Sequence, residues 1–158
     1  MIDSAENARP FATPRVAAGA LFVDDQDQVL LLHPTYKSYW EIPGGYIETA
    51  ESPLAACRRE VEEELGLQVE IKSLLAIDWA PHPEEGDKML FVFDGGRLSP
   101  EQLAAIKFAD SEIDEWSFVP ESQLDELTIP RLARRIRQAM QARREQRTVY
   151  LQEGGVPA

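Results

Sequence analysis

The segment RREVEEELGL, residues 58–67, carries the side chains best suited to chemistry in this chain. At about 100° per residue, an α-helix would place Glu60, Glu63 and Glu64 within one arc of its surface. Carboxylates four residues apart on a helix repel each other, and clustered oxygen donors suit Mg²⁺ or Mn²⁺. The spacing therefore indicates a site for a divalent cation, with a solvated acidic helix face as the alternative.

The helix that must carry these glutamates has clear start and stop signals. Ser52 can cap its first turn, and Pro53 suits the first helical position. Gly66 is a typical residue to end it. The apolar residues share one stripe at helical spacing: Leu54, Cys57, Val61 and Leu65. We predict an amphipathic helix over residues 53–65.

The glutamates belong to a longer pattern, GYIETAESPLAACRREVEEELGL, which begins at Gly45. A glycine is followed after five residues by a glutamate. Seven residues later come an Arg-Glu pair, two further glutamates and a closing glycine. In order and spacing this segment resembles the signature of the Nudix hydrolases, and the likeness extends over about residues 15–140. Nine defined positions make the resemblance far more specific than a single glycine motif.

The resemblance implies an α/β fold, the Nudix α/β/α sandwich with a mixed central β-sheet. It also implies an activity, because the family cleaves a nucleoside diphosphate linked to some other group. Both the pyrophosphate and the glutamate face are negatively charged, so a divalent cation such as Mg²⁺ or Mn²⁺ would bridge them and polarise the attacking water. The expected partner is thus a small-molecule nucleotide substrate.

Metal-binding roles follow for individual positions of the signature. By resemblance, Glu60 and Glu64 are the principal metal ligands. Glu63 is either a further ligand or the general base. The backbone carbonyl of Gly44 is expected to join them as another oxygen donor.

Two further roles are implied by the resemblance. Arg59 and Glu51 match an internal ion pair that holds the loop before the helix against the helix, and such partners orient metal ligands. A second candidate base lies in ADSEIDEW, on a loop before a late strand. Glu112 fits that position best, with Asp114 and Glu115 as alternatives.

Contacts with the remainder of the substrate are predicted from side-chain type alone. Lys37 and Arg15 are cations that can reach phosphates, and Trp40 precedes the glycine loop where the family often has an aromatic residue. Asp78 and Trp79 could hydrogen-bond to and stack on a nucleobase. The alternatives are core packing for the tryptophans and ordinary solvation for the cations.

Composition excludes several classes of protein. The net charge of −12 argues against binding a nucleic-acid polymer, which normally uses a clustered basic surface. The single cysteine, Cys57, cannot form an intrachain disulfide. The first ten residues lack the features of a secretory signal, and no apolar run approaches the roughly 20 residues needed to span a membrane. We expect a cytoplasmic protein with no membrane association.

The coarse organisation is one domain with two flanking segments. Residues 1–14 are predicted to be a flexible arm, 15–146 the Nudix domain, and 147–158 a C-terminal tail. RVAAGALFVDD and QVLLLHP predict a β-hairpin. Further strands are predicted in LQVEIKSLLAIDWA, KMLFVFDGG and EIDEWSFVP, and a helix with a basic outer face in PRLARRIRQAMQARREQR.

Several alternatives remain open at this stage. The substrate could be ADP-ribose, a nucleotide sugar or an oxidised nucleoside triphosphate. A non-catalytic domain that senses a nucleotide is the main alternative function. An isoprenoid isomerase of the same fold is disfavoured, because that branch needs an active-site cysteine outside the glutamate helix. The basic helix could contact a second copy of the chain in a homodimer.

Overall fold

A mixed β-sheet forms the centre of the computed structural model, which describes residues 10–158. The strands are β1 (Arg15–Phe22), β2 (Val29–Pro34), β3 (Gly44–Tyr46), β4 (Leu74–Trp79), β5 (Lys88–Gly96), β6 (Ile113–Val119) and β7 (Val149–Gln152). The helices are α1 (Pro53–Leu65), α2 (Pro100–Ala104), α3 (Leu124–Leu127) and α4 (Pro130–Arg144). Five strands pair in the order β3-β1-β5-β4-β7, while β2 and β6 form a separate antiparallel pair. Within the larger sheet, β1–β5 and β4–β7 are parallel and the other two pairs are antiparallel.

Helices cover both faces of the sheet, which confirms the predicted α/β/α sandwich. Successive side chains of a strand point to opposite faces. Ala20 and Phe22 therefore pack in the cluster that contains α1, whereas Leu21 packs in the cluster that contains α4. The two faces of β1 are thus buried in two different cores.

Helix α1 spans the predicted residues. Its first turn is capped by Ser52, whose hydroxyl accepts a hydrogen bond from the amide of Ala55, and the helix ends at Gly66. Cys57 and Val61 are completely buried under it. Burial raises the pKa of the Cys57 thiol to about 12, so this cysteine acts as a small apolar side chain.

The predicted β1–β2 hairpin is wrong. Strand β1 pairs with β3 and β5, β2 pairs with β6, and a single bridge between Val23 and Val29 links the two segments. The reason lies in the apolar run of β1, which is buried on both faces and needs a paired strand on each side. The predicted strand in LQVEIKSLLAIDWA is also shorter than expected, because it forms only at Leu74–Trp79.

The last helix confirms one prediction and corrects another. Leu132, Ile136 and Met140 are buried as the helical spacing predicts. The outer face carries arginines, but Arg135 is buried beneath the helix with only 8% of its surface exposed. No pattern in the sequence predicts that this cation faces inward.

The predicted C-terminal tail instead supplies strand β7. Residues Val149–Gln152 pair in parallel with β4, and Val149 and Leu151 are buried while Tyr150 between them is 54% exposed. The strand has only four residues, too few for a reliable pattern in the sequence. The described part of the predicted arm, residues 10–14, has no regular secondary structure, and residues 1–9 lie outside the described residues. Across residues 10–158, none of the helices has the length and apolarity to cross a membrane.

Truncating one of the two buried side chains of β7 tests the assignment of residues 149–152 as a strand of the sheet. Leu151→Ala should lower the free energy of unfolding by about 2 to 5 kcal/mol, because it leaves a cavity where a leucine is fully buried. Urea unfolding followed by tryptophan fluorescence measures the change. Tyr150→Ala, on the exposed side of the same strand, is the control and should cost less than about 1 kcal/mol. Equal effects of the two substitutions would show that 149–152 is not a sheet strand.

Candidate active site

One guanidinium group organises the region around the glutamate helix. The Nε and Nη2 atoms of Arg59 donate to the two carboxylate oxygens of Glu51 at 2.8 and 2.9 Å, in the bidentate arrangement that arginine favours. Nη2 also donates to the Tyr46 carbonyl at 3.1 Å, and Nη1 to Glu60 Oε1 at 2.8 Å. These hydrogen bonds from Arg59, aided by the amide of Glu48, lower the pKa of Glu51 to about 2. The structure thus contains the predicted Arg59–Glu51 ion pair.

Two glutamates from α1 face the glycine loop. The amide of Gly44 donates to Glu64 Oε1 at 3.1 Å. Gly45 lies so close to Glu60 that a Cβ atom there would be 2.5 Å from the carboxylate carbon. Only glycine allows the backbone of the loop to approach the carboxylate this closely. The loop and the helix therefore enclose Glu60 and Glu64 from opposite sides.

This enclosure raises the pKa of both carboxylates. Burial raises the pKa of Glu64 to about 9, and the neighbouring Glu60 carboxylate adds to the effect despite the opposing hydrogen bond from Gly44. Burial likewise raises the pKa of Glu60, against the opposing effect of Arg59. Without a cation, the pair therefore holds at least one proton near neutral pH.

Glu63 does not join this pair. Its side chain is 58% exposed, and its carboxylate accepts a hydrogen bond from Arg59 Nη1 at 3.3 Å. Within residues 10–158, no group of three His, Cys, Asp or Glu side chains is arranged to hold a metal ion. Glu63 shares Arg59 Nη1 with Glu60, and its role as a metal ligand stays a prediction.

The residues present nevertheless suit a divalent cation. Glu60 and Glu64 supply hard oxygen donors, and both are held away from solvent with pKa values above their usual range. A cation would replace the proton and remove the repulsion between the two charges. Gly44 contributes its amide to Glu64 here, so the role of its carbonyl as a ligand remains a prediction.

A cleft of about 280 Å³ opens beside these carboxylates. Its floor is the face of β1 and β5 that also packs on α4, and Gly44 and Gly45 form one end. The polar side chains around it come from the loop before β3, from the start of α4 and from strands β3 and β5: Tyr36, Lys37, Tyr39, Glu41, Arg131, Arg135, Tyr46 and Lys88. Such a cleft, apolar below and polar at its rim, is typical of a small-molecule site.

Lys37 lies at the rim of the cleft, as predicted for a substrate contact. Its Nζ is 2.5 Å from Glu41 Oε1 and 5.4 Å from the ring centroids of both Tyr36 and Tyr39. The two tyrosines were not identified from the sequence. In the sequence they appear only as two tyrosines on either side of Lys37 in a loop. This spacing matches no motif that would predict a binding site.

Other predicted contacts lie elsewhere. The carboxylate of Asp78 is fully buried, is bonded to Arg135 and to the amide of Gly154, and does not line the cleft, so it is not exposed to a substrate. Trp40 packs against the core and against the His33 ring at 5.1 Å, and Trp79 is half-buried at the end of β4. Neither tryptophan lines the cleft. The prediction that Asp78 contacts the base is therefore wrong.

Of the three candidate bases, Glu112 precedes β6, whereas Asp114 and Glu115 lie within it. Asp114 is hydrogen-bonded to His33 Nδ1 at 2.7 Å. Burial raises the pKa of the Tyr36 phenol, and the charges of Glu112 and Glu64 raise it further. The charge of Glu112 therefore acts on Tyr36 at the rim of the cleft, as that of Glu64 does. The Asp114 carboxylate is instead bonded to His33.

The raised pKa of Glu64 predicts how the metal-free protein responds to pH. Its folded pKa of about 9 lies above the ordinary value of 4.5, so the folded state holds an extra proton between those limits. In EDTA, the stability contributed by this group should fall as pH rises through that window. Melting temperatures measured between about pH 5.5 and about pH 8.5 should show this fall for the wild type and a smaller one for Glu64→Gln.

Glu62→Gln, on the opposite flank of α1, is the matched control and should keep the wild-type slope. At pH 8.5 in EDTA, Glu64→Gln should melt at the same temperature as the wild type or higher. A lower melting temperature would mean that the Glu64 carboxylate supports the fold rather than a ligand.

Comparison with known proteins agrees with this geometry. The family model described as NUDIX domain matches residues 13–142. Human 8-oxo-dGDP phosphatase NUDT18 is 32% identical over 132 residues, which covers 77% of this chain but only 39% of the human protein. The RNA pyrophosphohydrolase of Roseobacter denitrificans is 27% identical over 132 residues, covering 73% of this chain and 82% of that protein.

A solved structure shows the same fold. The MutT protein from Methanosarcina mazei Go1 superimposes with a TM-score of 0.67 at 24% identity, over 87% of this chain and 99% of that one. The domain match covers most of the chain, and the fold and the signature helix agree with it. The chain therefore belongs to the Nudix hydrolase family.

Proposed function

We propose that this chain is a divalent-metal-dependent pyrophosphohydrolase that cleaves a nucleoside diphosphate linked to another moiety. The observation that supports this most is the enclosed pair Glu60 and Glu64, whose pKa values are raised, at the edge of a cleft. Buried carboxylates that repel each other are costly unless they bind a cation. A pyrophosphate needs such a cation to approach an acidic protein.

The residues around the pair divide the remaining work. When bound, Mg²⁺ or Mn²⁺ would offset the charge of the pyrophosphate and polarise a water molecule for in-line attack on phosphorus. Arg59 fixes the orientation of Glu60, and the Gly44 amide fixes that of Glu64. This preorganisation keeps the two carboxylates from turning away as charge develops on the leaving phosphate.

The cleft supplies the contacts for a nucleotide. Tyr36 and Tyr39 offer aromatic faces, and Lys37 between them offers a positive charge near the phosphates. Base–aromatic stacking contributes about 1 to 3 kcal/mol per base and tolerates different bases. The candidate substrates are accordingly a nucleotide sugar, ADP-ribose and an oxidised nucleoside triphosphate.

A release assay tests the proposed activity. The protein is incubated with Mg²⁺ or Mn²⁺ and ADP-ribose, nucleotide sugars, NADH, canonical deoxynucleoside triphosphates and 8-oxo-dGTP, and products are separated by ion exchange. We expect turnover of at least one substrate, abolished by EDTA and reduced at least about 100-fold in Glu64→Gln. Glu62→Gln should retain wild-type turnover.

The outcomes separate an enzyme from a sensor. If Glu64→Gln matched the wild type, the carboxylate pair would have no part in catalysis. Tight binding of one nucleotide without turnover would favour the non-catalytic, nucleotide-sensing alternative.

A second experiment identifies the group that takes the proton from water. Glu63 is engaged by Arg59, whereas the Glu112 carboxylate accepts no hydrogen bond within residues 10–158 and lies near the rim. We propose Glu112 as the base. Glu112→Gln should lower kcat by about 10² to 10⁴ with little change in KM, and Glu63→Gln by less than about tenfold. The reverse ranking would assign the role to Glu63.

A further inference from the structure

The end of the cleft opposite the carboxylates is basic. Arg131 and Arg135 from the first turns of α4 both line it, and Arg134 lies beside them on the same helix. Three arginines thus lie within five residues of a protein whose net charge is −12. Arg131 donates from Nη1 to the Pro81 carbonyl at 3.0 Å, and its other guanidinium nitrogens have no acceptor among residues 10–158. None of these arginines belongs to the signature helix, and the proposed hydrolysis does not require them.

Arg135 is the most constrained of the three. Its Nε donates to Asp78 Oδ2 at 2.6 Å, and Gly154 donates its amide to the other oxygen of Asp78 at 3.1 Å. The residue is only 8% exposed, yet it lines the cleft. Its two terminal nitrogens have no acceptor among residues 10–158. The ion pair therefore fixes the guanidinium through Nε and leaves Nη1 and Nη2 without an acceptor among residues 10–158.

The start of α4 adds two unpaired backbone donors at the same place. Ile129 is the N-cap residue but provides no side-chain hydrogen bond, and Pro130 has no amide hydrogen. The amides of Arg131 and Leu132 find no acceptor in the described part of the chain, and both residues line the cleft. The N-terminus of a helix 15 residues long carries a partial positive charge.

This basic end is separate from the place where the pyrophosphate would bind. The carboxylates lie against β3. Asp78 belongs to β4, and α4 packs against that strand. Strands β1 and β5 stand between them in the sheet. Three strand spacings of about 4.8 Å give roughly 14 Å, more than the length of a pyrophosphate.

We propose that the guanidinium fork of Arg135, the side chain of Arg131 and the amides of Arg131 and Leu132 form a second anion subsite. It binds a phosphate or carboxylate on the part of the substrate that lies remote from the cleaved pyrophosphate. Asp78 is the positioning residue, because it sets the orientation of Arg135 without touching the ligand. The identification of the ligand as a substrate rests on the proposed function, whereas anion binding itself does not.

Direct binding of inorganic phosphate tests the subsite without any catalysis. In EDTA, phosphate titrated into ¹⁵N-labelled protein should shift the amide resonances of Arg131 and Leu132. Arg131→Gln and Arg135→Lys should each weaken this binding about tenfold or more, because bidentate charge-assisted hydrogen bonds are lost. Arg135→Lys keeps a cation beside Asp78, and Arg131→Gln leaves the buried pair intact, so folding is preserved in both.

Arg134→Gln is the matched control, since Arg134 donates to the Glu153 carbonyl outside the cleft. It should bind phosphate as the wild type does. Absence of shifts at Arg131 and Leu132, or equal weakening in Arg134→Gln, would overturn the subsite. An adventitious contact would give shifts scattered over many arginines and would overturn it as well.

Matched substrate pairs test whether the anion belongs to the substrate. NADPH differs from NADH by one phosphate, and UDP-glucuronic acid differs from UDP-glucose by one carboxylate. We expect the more anionic member of at least one pair to have a kcat/KM about tenfold higher, an advantage lost in Arg135→Lys and Arg131→Gln but kept in Arg134→Gln. Equal loss for both members, or no advantage in either pair, would contradict the proposal.

The two experiments separate the two proposals. Phosphate shifts at Arg131 and Leu132 without hydrolysis of any nucleotide would leave the anion subsite in place and remove the proposed enzyme activity. Hydrolysis of a nucleotide without those shifts would support the enzyme activity and remove the anion subsite.

Discussion

The hydrogen bonds of Arg59 are the interaction on which the rest of the site depends. Its guanidinium binds both oxygens of Glu51, one oxygen of Glu60 and the carbonyl of Tyr46. These partners come from the end of β3, from the segment before α1 and from α1 itself. One cation thus joins three pieces of chain that would otherwise present mutually repelling carboxylates. Arginine suits this position better than lysine, because its planar fork can bond several acceptors at fixed angles.

The sandwich architecture places a cleft beside these hydrogen-bonded residues. Helix α1 places the carboxylates at one edge of the sheet, and α4 lies on the other face with its N-terminus over β4. The exposed sheet surface between them is the floor on which a ligand can lie. The two helices pack in separate cores, α1 in one and α4 in the other.

The parts of the molecule that could be predicted from sequence are those encoded by local patterns. Helix α1, its cap at Ser52 and the Arg59–Glu51 pair all follow from residues within one short segment. Helical spacing puts Glu63 near Glu60 and Glu64 but does not reveal that Arg59 bonds to it as well. The predicted face was right, and the hydrogen bonds within it were not predictable.

The parts that could not be predicted depend on contacts between residues that are far apart in the sequence. Strand β7 is too short to show an alternating pattern, and β1 pairs with strands far along the chain rather than with β2. Arg135 resembles its exposed neighbours in sequence and is distinguished only by Asp78, its buried partner 57 residues away. Asp78 was accordingly mistaken for a ligand contact.

The sequence separation of these contacts has a consequence for how the cleft assembles. At the carboxylate end, Arg59 and Glu51 are 8 residues apart and Gly44 and Glu64 are 20 apart. At the basic end, the turn at Gly154, whose missing side chain lets it pack against α4, binds Asp78 across 76 residues. Contacts between distant residues carry a larger loop-closure cost and form later in folding. We therefore expect the carboxylate end to be ordered first, and local opening of β7 to release Arg135 while Glu60 and Glu64 stay in place.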